Sequence, residues 1–202
     1  MIIIDYDTGN LASIKNMLNQ IGCRPEISSD TDLISKSKEL ILPGVGNFKK
    51  GILSIKSKKI DKAIFDALNN NARLLGVCLG MHLLFNRSEE GSCEGLKLIK
   101  GQVIKFNFEN INLKIPHMGW NNVDFNKNSN LYFKYKEKLK FYFAHSYYVK
   151  CDNQKNIAGI TDYGVKFTSA VQNRNIFGVQ FHPEKSHNFG KEFFKNFYFN
   201  KF

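Results

Sequence analysis

The sequence predicts an α/β fold: an open, mostly parallel twisted sheet with helices on both faces, and antiparallel strands added in the second half. Three observations carry this expectation. Short apolar runs that suit buried strands alternate with stretches whose apolar residues recur at helical spacing. That alternation belongs to strand, helix, strand crossovers, which build parallel sheets. After about residue 98 strand candidates follow one another in quick succession, so they are expected to pair antiparallel. With 202 residues, 43% of them hydrophobic, the chain can bury a sizeable core and reads as one domain over residues 1–202.

Taken in order, Ile2 to Asp5 is a buried strand, followed by a helical stripe of Leu11, Ile14, Leu18 and Ile21 that stops at Gly22. Strands around Pro25 to Ser28 and Leu40 to Leu42 come next. The stretch from Ile60 to Asn70 puts Ile60, Ala63, Ile64, Ala67 and Leu68 on one helix face. An apolar strand, Leu74 to Val77, leads into a helix from about Leu79 to Asn86. The second half offers strands at Leu98 to Phe106, Lys140 to Val149, Ile157 to Thr161, Phe167 to Gln172 and Ile176 to Phe181. A last helix, about Asn188 to Phe199, packs Phe189, Phe193 and Phe197 inward at four-residue spacing.

Composition excludes several classes. The opening MIIIDYD has no basic leader, and no apolar run approaches the roughly 20 residues that span a bilayer, so a soluble cytoplasmic protein without membrane contact is expected. Cys23, Cys78, Cys93 and Cys151 lie far apart with no C-x-x-C spacing, which reads as reduced thiols and neither a zinc site nor a disulfide framework. The net charge of +11 invites nucleic acid, but the lysines are scattered. Only short knots such as Lys56 to Lys59 and Lys134 to Lys138 stand out, and no nucleic-acid-binding motif accompanies them. A solvated lysine-rich surface, or a basic patch for an acidic protein partner, accounts for the charge.

Gly76-Val77-Cys78-Leu79-Gly80 has the G-x-nucleophile-x-G form of a nucleophile elbow, placed after a strand and before a helix. Small flanking residues permit the tight turn, and the start of a helix favours a thiolate. An isolated cysteine among leucines is otherwise a buried small hydrophobe. A thiol nucleophile needs a base. His82 is nearest in sequence but projects one turn below the elbow. His182, in Gly178-Val179-Gln180-Phe181-His182-Pro183-Glu184, is better placed, because Pro183 favours an extended backbone at His182. Residues i and i+2 then share a side, so Glu184 aligns with the imidazole and fixes its tautomer. Pro43-Gly44-Val45-Gly46 fails both the dinucleotide and the phosphate-loop spacings, since Lys49 stands where a glycine is needed and Ile52-Leu53 where Lys-Ser/Thr is needed. It remains either a tight turn or a source of backbone N–H groups for an oxyanion. His182, Glu184 and His187 match no trusted zinc spacing, and no metal or cofactor is expected.

Together PGVG, GVCLGMHLL and GVQFHPEKS resemble the class I (triad) glutamine amidotransferases, a family with a flavodoxin-like sheet. Pro116 to Asn121 (PHMGWN) and Tyr142 to Tyr147 (YFAHSY) resemble, within that family, the glutaminase subunits of imidazole glycerol phosphate synthases, and the likeness runs along essentially the whole chain. The resemblance implies that Cys78 attacks the carboxamide of L-glutamine, that His182 moves the protons and that Glu184 holds His182. It implies an oxyanion hole from the backbone N–H groups of Leu79 and, after rearrangement of PGVG, Val45. Gly46, His82, Glu90, His145, Ser146 and Tyr147 match positions that cradle glutamine. Trp120, Tyr142 and Lys185 match positions that face the partner, a (β/α)8-barrel synthase (cyclase) subunit in a heterodimer, which receives the ammonia. His117 also matches a family position, without an assigned role.

One position departs from the pattern: His82 stands where the family has glutamine. Imidazole offers a donor and an acceptor but can become charged, so a glutamine KM that worsens as pH falls toward about 6 is expected. Three other functions remain open at this point. They are service to a related amidotransferase that aminates a surface-polysaccharide or flagellin sugar, a catalytically weak scaffold, and a stand-alone cysteine hydrolase.

Overall fold

The computed structural model describes residues 1–108, 113–133, 135 and 138–199. Lys134, Lys136 and Glu137 of the second basic knot lie outside the described residues. The first half alternates as expected: β1 (Ile2–Ile4), α1 (Leu11–Gln20), β2 (Glu26–Ser28), α2 (Thr31–Lys36), β3 (Glu39–Leu42), α3 (Phe48–Ser57), α4 (Ile60–Asn69) and β4 (Arg73–Val77). Sequence reading did not place α2 and α3. The Asp30 side chain caps α2 by accepting from the Asp32 and Leu33 N–H groups, and Asn47 caps α3 through the Lys50 N–H.

After β4 come a short helix α5 (Leu79–Leu83), β5 (Phe85–Ser88), β6 (Cys93–Glu94), β7 (Ile99–Lys105), β8 (His117–Asn122) and β9 (Asp124–Phe125). The helix expected to reach Asn86 therefore stops at Leu83. The carbonyls of Leu83 and Leu84 accept from Leu96, Leu98 and Ile99 N–H groups, which draws the chain out of helix and into β5. The remaining elements are β10 (Lys140–His145), β11 (Tyr147–Cys151), β12 (Ile157–Asp162), β13 (Lys166–Asn173), β14 (Ile176–Val179) and α6 (His187–Phe199). The single strand expected over Lys140 to Val149 is thus two strands. They break at Ser146 because β10 pairs with β8 in a separate two-stranded sheet, while β11 pairs with β7 and β13 in the main one.

The main sheet runs in the order β2-β1-β3-β4-β14-β13-β11-β7-β5-β6, with β12 on β13 and β9 on β12. From β2 to β14 every neighbour is parallel; β13 and β11 then join antiparallel. Alternating side chains feed two cores. Ile2, Ile4, Leu40, Leu42 and Leu74 meet α2, α3 and α4 on one face; Ile3, Ile41, Leu75 and Val77 meet α1 and α6 on the other. Phe193 and Phe197 of α6 are buried as expected, and Phe189 packs partly buried against the same core. Among the described residues no helix is long and apolar enough to cross a membrane, and all four cysteines are free thiols.

The second core carries an aromatic stack that leads to the site. Phe181 is fully buried, its ring 3.9 Å from that of Phe141 at 19°, with Phe193 edge-on at 5.4 Å. Phe181→Ala is expected to cost about 3–5 kcal/mol, read as a fall in the urea midpoint at unchanged slope. A loss below about 1 kcal/mol would show that this stack does not hold the segment before His182.

Candidate active site

Three neighbouring parallel strands, β3, β4 and β14, end at the same edge of the sheet, and the segments that leave them hold PGVG, Cys78 and His182. Cys78 sits at the turn from β4 into α5 with φ 53° and ψ −108°, a conformation that residues with side chains avoid. Glycine is required on both sides. A Cβ on Gly76 would lie 2.7 Å from the Gly80 carbonyl, and a Cβ on Gly80 would run into the Leu42 carbonyl oxygen. The elbow is pinned by the Cys78 N–H, which donates to the Val179 carbonyl at 2.8 Å. With five residues α5 is short, so its dipole supports a thiolate less than the longer helix expected from sequence would.

His182 is clamped from three directions. Its N–H donates to the Tyr142 carbonyl at 2.8 Å, its carbonyl accepts from Ser186 Oγ at 2.6 Å, and Ser186 Oγ accepts from the Tyr142 N–H at 3.0 Å. Its Nδ1 lies 2.8 Å from Glu184 Oε1, both side chains being 2% exposed. The other Glu184 oxygen is buried and meets no donor among the described residues, so the carboxylate is committed to this imidazole. Burial opposes the charge on His182, but the neighbouring Cys78 sulfur and the Glu184 carboxylate outweigh it, and the imidazole is held well above its ordinary 6.5.

These groups open onto a cleft of about 350 Å³. Its walls include Cys78, Leu79, His82 and His182 on one side, Val45, Gly46 and Glu90 on another, and His145, Ser146, Tyr147 and Lys185 on a third. Every residue that the sequence assigned to glutamine therefore lines this one cleft. A larger cavity of about 870 Å³, lined by Met1, Arg73, Arg174 and Phe199 among others, lies at the opposite end of the strands and contains none of them. Among the described residues no cluster of His, Cys, Asp and Glu is arranged to hold a metal ion.

His82 behaves differently from the sequence expectation. It is 5% exposed, and its Nε2 lies 2.7 Å from Gln180 Oε1. Burial pulls its pKa down to about 4, against a smaller opposing effect of the Gln180 bond. The ring is therefore neutral at pH 6, and the pH-dependent KM expected from an unperturbed histidine is withdrawn. Gln180 is fully buried, and its Nε2 donates to Cys78 Sγ at 3.9 Å. Sequence reading quoted this residue without giving it a role, although the alternation that aligned Glu184 with His182 extends back to position 180.

The other cleft residues are tied to the scaffold. Glu90 accepts from the Phe48 N–H at 2.9 Å and from Asn47 Nδ2 at 3.2 Å, fixing the start of α3 just past PGVG. His145 donates from Nδ1 to the Tyr147 carbonyl at 2.7 Å, which leaves its Nε2 to accept from His117 Nδ1 at 3.0 Å. His117 in turn faces Asn121 Nδ2 at 3.3 Å and stacks on Tyr163. Burial lowers both imidazoles, His117 to about 4 and His145 well below 6.5.

The PGVG turn is not arranged to receive an oxyanion. The Leu79 N–H donates to the Gly44 carbonyl at 3.4 Å, and in a trans peptide that carbonyl and the Val45 N–H point opposite ways. Tyr6 holds the preceding peptide by donating from its hydroxyl to the Pro43 carbonyl. Beside the cleft lies an exposed aromatic face. Trp120 is 47% exposed, opposite Tyr142 across the β8–β10 pair, with the His187 ring stacked on it at 6°; Lys185 Nζ lies 5.8 Å from the Tyr142 ring.

Comparisons with known proteins agree with this geometry. The family model of class-I glutamine amidotransferases matches residues 2–201. Imidazole glycerol phosphate synthase subunit HisH 2 of Methanococcus maripaludis is 50% identical over 200 residues, covering 96% of each chain. Subunit HisH of Sulfurimonas denitrificans is 45% identical, covering 96% of this chain and 95% of its own. Among solved structures, a chain of the PurLQS complex from Thermotoga maritima superposes with a TM-score of 0.76 at 20% identity, covering 96% of this chain and 95% of that one, and shares the fold. A family model that spans nearly the whole chain, and relatives at 50% and 45% identity over 96% of it, show that the chain belongs to the class-I glutamine amidotransferase family.

Proposed function

We propose that this chain is the glutamine-hydrolysing subunit of an imidazole glycerol phosphate synthase, a cytoplasmic enzyme of histidine biosynthesis, and that it delivers ammonia to a (β/α)8-barrel synthase subunit in a heterodimer. The observation that carries the reading is 50% identity to a HisH relative over 96% of both chains. The cleft lined by Cys78 and His182, with Glu184 buried behind the imidazole, supplies the chemistry.

In this reading the Cys78 thiolate attacks the side-chain carbonyl carbon of glutamine, and the C=O electron pair moves onto oxygen. The oxyanion is met by the Leu79 N–H and, once the Gly44–Val45 peptide has turned over, by the Val45 N–H; each such donor is worth roughly 3 kcal/mol in the transition state. His182 gives its proton to the departing nitrogen, ammonia leaves, and a glutamyl thioester remains on Cys78. Water, deprotonated by His182, then cleaves the thioester to glutamate and restores the thiol. Glu184 keeps the imidazole oriented and favours its charged form. Because Gly44 occupies the Leu79 N–H in the free chain, the isolated subunit turns over slowly and is activated by the loaded synthase partner.

Four measurements test this. A histidine auxotroph lacking its glutaminase subunit is expected to grow when this chain is expressed together with its cognate synthase; failure with both proteins soluble and associated would favour the sugar-aminating alternative. Cys78→Ala is expected to abolish glutamine-dependent turnover while ammonia-dependent synthesis by the complex survives. Glu184→Gln removes one of the two groups that raise His182, so the imidazolium is less stable and loses its proton at lower pH. Its kcat is expected to fall roughly 100-fold or more, with the alkaline limb of the pH profile, set by loss of the His182 proton, displaced downward in pH. Finally, with His82 neutral, KM for glutamine is expected to stay flat between about pH 5.5 and 8. A KM that rises several-fold toward pH 6 in the native protein but not in His82→Gln would overturn that reading of His82.

A further inference from the structure

The Gln180 carboxamide lies between the two residues that the elbow brings to the cleft. It follows directly on β14, its side chain is fully buried, and its N–H donates to the Ser169 carbonyl at 2.9 Å, so its backbone is fixed by β13. One end of the amide faces His82 Nε2 at 2.7 Å, and the other faces Cys78 Sγ at 3.9 Å. An amide is polar end to end: its oxygen only accepts, and its nitrogen only donates.

The structure points the amide N–H at the Cys78 sulfur, which accepts, and the carbonyl oxygen at His82. That orientation dictates the proton on His82. Facing an oxygen, Nε2 must carry the hydrogen, so in the neutral ring Nδ1 is left with a lone pair.

We propose that Gln180 is a positioning residue: it holds His82 as the Nε2–H tautomer, so that the ring offers the cleft an acceptor for an N–H of glutamine, and it donates its own N–H to the Cys78 sulfur. The family's glutamine at position 82 has both polarities in one freely rotating amide. A histidine there has the needed polarity only when a second residue sets its tautomer, and Gln180 does so. The part of this inference that concerns glutamine rests on the glutaminase reading above. The tautomer and the bond to the sulfur do not.

The test begins with the native full-length chain. Long-range proton–nitrogen NMR of ¹⁵N-histidine protein at neutral pH is expected to show His82 with Nε2 protonated and Nδ1 bare, the signals being assigned by their loss in His82→Gln. In the near-isosteric Gln180→Met, His82 is expected to become a mixture of tautomers. In the complex with its synthase, Gln180→Met is expected to raise KM for glutamine about tenfold in the native background and to leave it unchanged in the His82→Gln background. The accompanying few-fold fall in kcat, which reports the lost donor to Cys78, is expected in both backgrounds. His82 protonated on Nδ1 in the native chain, or an equal KM effect in both backgrounds, overturns the proposal. If the complex does not hydrolyse glutamine, the glutaminase reading has failed, and the NMR measurement still decides the tautomer on its own.

Discussion

Cys78 is held in a conformation that costs about 1–3 kcal/mol, and the contacts that impose it also build the site. The elbow is possible because α5 lies directly against β3 and β4, closely enough that neither Gly76 nor Gly80 has room for a side chain. The strain is offset by burial: Leu79, Met81 and Leu83 of the same five-residue helix are all within the first core. The bond from Cys78 N–H to Val179 then locks β4 to β14 at their ends. Since His182 follows three residues after Val179, the hydrogen bond that fixes Cys78 also fixes its position relative to His182. A change that loosened the elbow would therefore disturb both members of the pair.

Three buried histidines face one cleft, and only one of them is arranged to carry charge. Burial disfavours the imidazolium at His82, His145 and His182 alike. At His82 the compensating partner is a neutral amide oxygen, and at His145 a carbonyl together with another imidazole, so neither recovers the charge. At His182 the partners are a carboxylate and the Cys78 sulfur, and the balance reverses. In the proposed mechanism the proton carrier is thereby separated from two histidines that serve as directional hydrogen-bonding groups. Protonating His82 or His145 would place a positive charge beside His182 and work against its own.

The parts of this arrangement that were legible in the sequence are those fixed by local chemistry. The elbow shows because glycines on both sides of a cysteine after an apolar strand have few other uses, and the histidine–glutamate pair shows because Pro183 enforces the extended backbone that aligns them. The break at Ser146 was not legible, since YFAHSYYV is rich in aromatic residues on both sides of it, and only the different partners of β10 and β11 divide it. Nor was α2, six residues long with one buried side chain. Strand β8 has glycine and asparagine where strands favour branched residues, and it forms because β10 pairs with it along its whole length. The depressed pKa of His82 was invisible for the same reason: burial and the Gln180 contact are tertiary, and Gln180 is 98 residues away along the chain.

In the proposed mechanism the cleft as it stands lacks one component, and its position says how that component would be controlled. The Gly44 carbonyl occupies the N–H of Leu79, so an oxyanion site there would open only when one peptide turns over. Val45, on the far side of that peptide, is 42% exposed, as is Met118 at 64% and Trp120 at 47%. Met118 and Trp120 belong to β8, whose first residue, His117, is buried and hydrogen-bonded to His145 in the cleft. A partner docked over this face would therefore touch Val45 directly and reach the His145 wall of the cleft through a single strand. In the proposed heterodimer the apolar surface left open beside Cys78 and the incomplete oxyanion site are then one design: the surface that the synthase would cover is the surface whose covering would complete the site.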